Sequence, residues 1–66
     1  MNQDFKILLV EDDDAFRQAV CQLLGVYNEV VAVGDLASAR AAIQKASYEV
    51  VILDKSLPDG NGLSLI

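Results

Sequence analysis

Five carboxylates stand where two apolar runs of the sequence stop. Glu11, Asp12, Asp13 and Asp14 follow Ile7-Leu8-Leu9-Val10, and Asp54 follows Val50-Val51-Ile52-Leu53. Both runs are short, nearly continuous and rich in branched residues, as strands buried on both faces of a parallel sheet are. Ligands of open parallel sheets sit outside the carboxyl ends of the strands, where the winding reverses. With the second strand on the outer side of the first, strands one and three become neighbours. The acidic cluster and Asp54 then converge in one crevice. At an effective dielectric near 20 and a separation of about 5 Å, each carboxylate pair costs ~3 kcal/mol. Such a crevice calls for a proton or a cation. Oxygen-only ligands favour a hard ion, and Mg²⁺ binds through one or two carboxylates while keeping several waters. A bound Mg²⁺ would also neutralise an incoming phosphoryl group, so that a carboxylate could attack it in line.

The elements that must place these groups are legible from spacing. A third branched run, Val30-Val31-Ala32-Val33, lies between the other two. Phe16, Ala19, Val20, Leu23 and Leu24 recur at helical spacing after the first run, with Asp13 or Asp14 as N-cap and Gly25 as stop. Ala39, Ala42, Ile43 and Ala46 form a second helical stripe, with Asp35 as its N-cap. The order strand, helix, strand, helix, strand predicts an α/β fold with a parallel sheet. After Leu53, the run Asp-Lys-Ser-Leu-Pro-Asp-Gly-Asn-Gly reads as a loop, and Gly62 to Ile66 as the start of a helix.

Taken singly, each feature also has a structural explanation. An acidic run before a helix serves as a cap favoured by the helix dipole, and an Asp ending a strand serves as a turn residue. Gly60-Asn61-Gly62 is weak evidence of phosphate binding, Cys21 reads as an ordinary helix residue, and Lys55 reads as surface. The conjunction of positions is what points to chemistry.

Composition narrows the classes further. The chain has 66 residues, 53% of them hydrophobic and 23% charged, with a net charge of −5. That balance argues against a nucleic-acid surface, which would show a clustered basic patch. No apolar run approaches the roughly 18 residues of a membrane span, and the N-terminus lacks the pattern of a secretory signal. The single cysteine excludes an internal disulfide and fits a reducing compartment, so the cytoplasm is expected. A chain of this size hides only about 60% of the surface exposed when unfolded, and so leans on a metal or a partner.

Two motifs resemble a known family. Ile7-Leu8-Leu9-Val10-Glu11-Asp12-Asp13 is similar to the first strand and acid pair of bacterial two-component response-regulator receiver domains. The stretch from Val51 to Gly62, containing Leu53-Asp54-Lys55-Ser56-Leu57-Pro58-Asp59-Gly60, resembles their third strand, phosphoacceptor and following loop. The resemblance covers essentially all of residues 1–66. It implies a truncated flavodoxin-like parallel sheet of strand order 2-1-3 with helices on both faces. It further implies that Asp54 is the phosphoacceptor. Mg²⁺ (or Mn²⁺) would be held by Asp12 directly, Glu11 through water, Asp54, and the backbone carbonyl of Ser56. The implied partner of the full-length parent is a sensor histidine kinase or phosphotransfer protein. The implied activity is that of a phosphoacceptor rather than an enzyme.

The departures from the family pattern shape the remaining expectations. A complete receiver is about twice as long, with a Ser or Thr after strand four and a Lys after strand five; residues 1–66 contain neither position. Val50 to Leu53 should therefore form an exposed apolar sheet edge, and such edges recruit another chain. A dimer or larger assembly is expected. The alternative reading is a non-catalytic fragment that self-associates through that edge and keeps a vestigial acidic site. An aspartate-nucleophile phosphatase would need an acid–base carboxylate where Ser56 stands. A calcium loop is disfavoured by Pro58 and by the lack of a turn glycine after Asp12.

Overall fold

A computed structural model describes residues 4–53, 56, 57, 60 and 61. Three strands and two helices alternate: β1 (Lys6–Val10), α1 (Asp14–Leu24), β2 (Glu29–Val33), α2 (Leu36–Lys45) and β3 (Val50–Leu53). The strands form one parallel sheet in the order β2-β1-β3. This is the truncated flavodoxin-like α/β arrangement expected from the sequence. β1 is central, which explains why its apolar residues run without alternation. Ile7, Leu8, Leu9 and Val10 are all buried, because both edges are paired and both faces are covered.

Successive side chains of a strand point to opposite faces, so Leu8 and Val10 share one face and Ile7 and Leu9 the other. Leu8 and Val10 form the buried cluster with Leu36 and Ala39 of α2, flanked by Val31, Val33, Ala42, Tyr48 and Leu53. The crossover rule for parallel strands places the two helices on opposite faces, since β1-α1-β2 and β2-α2-β3 run in opposite directions across the sheet. α1 lies over β1 and β2.

Both helices start at aspartates. Asp13 caps α1 by accepting the Phe16 N–H at 2.9 Å, which decides between the two expected candidates. Asp35 caps α2 by accepting the Ser38 N–H at 2.7 Å. α1 stops at Gly25, whose N–H donates to the Cys21 carbonyl at 2.8 Å. The apolar stripe of α1 is only partly covered. Val20 and Leu24 are half-buried, whereas Phe16 is 56% and Leu23 75% exposed.

Beyond Leu53 the loop reading is incomplete. Two short strands, β4 (Ser56–Leu57) and β5 (Gly60–Asn61), pair antiparallel as a small hairpin. The hairpin closes on the start of α2: a Cβ at Gly60 would lie 2.5 Å from Leu36 Cδ1, and Gly60 has φ +151°. Only glycine meets both conditions. Runs of two residues are too short to show any periodicity, so they escape a reading of hydrophobic pattern. The expected helix start at Gly62 to Ile66 lies outside the described residues. Among the described residues, no helix is long and apolar enough to cross a membrane.

Candidate functional site

The parallel register fixes what stands at each end of the sheet. Val10 of β1 is level with Val33 of β2 and Leu53 of β3, the last residue of each strand. All three strands therefore deliver the chain to one rim at the same height. Glu11 extends the ladder by one step, its N–H donating to the Val33 carbonyl at 3.0 Å. The opposite rim is occupied with structural contacts. There Glu49 Oε1 accepts the Lys6 N–H at 2.6 Å, Lys6 Nζ lies 4.0 Å from Glu29, and the same ammonium sits 5.2 Å from the Tyr48 ring centroid.

At the carboxyl rim the acidic residues divide by what they touch. Glu11 is half-buried, and its Oε2 accepts the Asp13 N–H at 3.1 Å. Asp13 is committed to the cap of α1. Asp14, in the first helical turn, pairs with Arg17. Asp12 is exposed, and among the described residues nothing donates to its carboxylate. The loop thus holds one unengaged carboxylate between two anchored neighbours. Such a group is available to a cation, and the oxygen-only donors here suit a hard ion such as Mg²⁺.

Arg17 was not among the residues singled out by sequence, yet it organises this rim. Its Nη1 donates to the Glu11 carbonyl at 2.8 Å, and its Nη2 pairs with Asp14. The signal available was the i,i+3 spacing of Asp14 and Arg17, which places opposite charges on one helix face. The contact to a strand-end carbonyl has no such signature. Of the other expected site residues, Asp54 lies outside the described residues. Ser56 is described only as backbone of β4. Among the described residues no three carboxylates, cysteines or histidines gather as a metal group.

Comparison with known proteins bears directly on this rim. The family model of the response regulator receiver domain matches residues 7–66, from the start of the apolar run of β1 to the last residue. The DNA-binding transcriptional activator DevR/DosR of Mycobacterium tuberculosis is 40% identical over 63 residues, covering 91% of this chain and 29% of its own length. The transcriptional regulatory protein PmrA of Pectobacterium parmentieri is 41% identical over 64 residues, covering 92% of this chain and 28% of its own. The chain thus spans less than a third of these relatives. Among solved structures, a CheY-like response regulator receiver domain from Methylobacillus flagellatus superposes with a TM-score of 0.86 at 30% identity. It covers 98% of this chain and 54% of that one. With a matching family model over nearly the whole sequence, a matching strand order and matching relatives, the chain belongs to the response regulator receiver domains of two-component systems.

Proposed function

We propose that residues 1–66 supply the acid pair and phosphoacceptor of a receiver, with Asp54 taking a phosphoryl group from a histidine kinase or phosphotransfer protein. The observation that supports this reading is the in-register pairing of β1 and β3, Val10 with Leu53, followed on β1 by Glu11 and by Asp12, unengaged among the described residues. In sequence, Asp54 is the residue after Leu53. A carboxylate oxygen of Asp54 would form the new P–O bond as the donor's P–N bond breaks, the imidazole leaving with that electron pair. Asp12, Asp54 and the Ser56 carbonyl are assigned to Mg²⁺ or Mn²⁺ directly, and Glu11 through water. When bound, the ion would offset the charge of the phosphoryl oxygens. Glu11 is suited to the outer role because its carboxylate already accepts the Asp13 N–H.

The relatives' names speak of transcription, and for one of them of DNA binding, over much longer chains. With a net charge of −5, this segment is not assigned a nucleic-acid surface. The proposal is tested by thermal melting with and without Mg²⁺. Binding to the folded form alone raises the melting temperature by linkage. The expected result is a rise for the wild-type chain and a smaller one for Asp54→Asn. An equal rise in both would remove Asp54 from the site, and no rise in either would remove the site.

A second reading has its own observation. Val50, Val51 and Ile52 of the outer strand β3 are 37%, 41% and 38% exposed. These residues support self-association through the sheet edge.

A further inference from the structure

We propose that Arg17 is the positioning residue of the acidic loop, setting the affinity of the rim for a divalent cation without touching it. The inference rests on the metal reading above and adds to it a residue that makes no contact with the ion.

The geometry is that of a clamp. The Arg17 side chain is only 23% exposed, and its two terminal nitrogens go to two different anchors. Nη1 donates to the Glu11 carbonyl, where β1 ends, and Nη2 pairs with Asp14, where α1 begins. Asp12 lies between those anchors in the chain, and among the described residues no side-chain bond holds it. Its position therefore follows from the backbones of Glu11 and Asp13. The backbone of Arg17 adds a third tie, its N–H donating to the Asp13 carbonyl at 2.8 Å. Gly34, just past β2, leaves room for the clamp: a Cβ there would come within 3.0 Å of Nη1 and 3.8 Å of the Glu11 carbonyl oxygen. One guanidinium thus spans the exits of β1 and β2 and the entry of α1. A lysine ammonium offers one compact nitrogen in place of the rigid two-nitrogen fork and does not reproduce its geometry at the two anchors.

Charge and position predict opposite outcomes, which makes the role testable. A cation beside a cation site opposes binding, so charge alone predicts that loss of Arg17 tightens Mn²⁺ binding. Positioning predicts that it loosens, because the Glu11 carbonyl is released and Asp12 with it. Groups that orient metal ligands from outside typically contribute 10- to 100-fold in affinity.

The test is titration of the 66-residue chain with Mn²⁺, following the free aqua ion by electron paramagnetic resonance. It is run at a temperature where circular dichroism shows each variant folded. Arg17→Lys keeps the charge and most of the stem, and Arg17→Ala removes both. Both are expected to bind Mn²⁺ about tenfold more weakly than wild type. A role confined to stability would lower the melting temperature and leave the affinity of the folded protein unchanged. Affinity equal to or tighter than wild type in Arg17→Lys overturns the proposal while leaving the metal reading intact. If Arg17→Ala does not fold, Arg17→Lys alone decides. Absence of Mn²⁺ binding by the wild-type chain overturns the metal reading, and the positioning role with it.

Discussion

Glu11 and Asp12 are adjacent in sequence and unlike in structure. Glu11 is half-buried and bonded through its side chain to the Asp13 N–H, whereas Asp12 is exposed and unengaged among the described residues. A carboxylate that already accepts a hydrogen bond has one oxygen fewer to offer directly to a metal. Asp12→Asn is therefore expected to abolish the Mg²⁺-dependent rise in melting temperature. Glu11→Gln should weaken Mg²⁺ binding by about tenfold, as loss of an outer-shell group does. Calorimetric titration of the two variants checks the order, and a larger loss in Glu11→Gln would reverse the assigned roles. The acid pair stands out in the sequence through its place after an apolar run together with its likeness to the family's motif, since an acidic run alone also reads as a helix cap. The family resemblance also implies the division of labour within the pair. The hydrogen bond that gives Glu11 a physical reason for the outer role comes from a backbone N–H two residues away, which no residue type announces.

At the scale of elements, the two aspartate caps make separable predictions. Asp35 follows β2 at the same rim as the acidic loop, but its carboxylate is engaged in capping α2 through the Ser38 N–H. Asp35→Ala should cost about 1 kcal/mol of stability in urea unfolding and leave the Mg²⁺ effect unchanged. Gly60→Ala meets two obstacles at once, a φ of +151° and Leu36 Cδ1 at 2.5 Å from the new methyl group. It should destabilise by more than ~1 kcal/mol, whereas the same replacement at a compatible backbone stabilises by up to about that amount. A neutral result would mean that the hairpin is not seated on α2. The three strands, two helices and both caps were readable because hydrophobic period and capping chemistry are local signals. The hairpin β4–β5 was not, because its strands are two residues long and pair through the backbone without a hydrophobic period of their own. The split of the α1 stripe was likewise hidden. Periodicity marks Phe16 and Leu23 as apolar, and only the structure shows them exposed.

For the molecule as a whole, the outer strand β3 presents three adjacent, partly exposed apolar residues, Val50, Val51 and Ile52. Its apolar residues, and an edge that no strand pairs among the described residues, should draw copies of this chain together, and light scattering over a dilution series should show a mass that rises with concentration. Val51→Lys, a charge on an edge strand, should suppress that rise. A stable wild-type monomer at micromolar concentration would contradict the edge reading. Labelling of Asp54 by acetyl phosphate is expected to be slow or absent in residues 1–66. The hydroxyl and lysine that the family resemblance pairs with the phosphoryl group are not among them. Stoichiometric labelling seen by mass spectrometry would show that the acid pair and Asp54 suffice.

The central claim is that one rim of the sheet, where β1 and β3 end in register, binds a divalent cation. A Mg²⁺ titration followed by amide nitrogen–proton correlation spectra tests it residue by residue. The expected shifts fall on Asp12, Asp13 and the residues flanking Asp54, while Lys6, Glu29 and Glu49 at the opposite rim stay unmoved. Shifts spread evenly over all the acidic residues, or none at all, would contradict it.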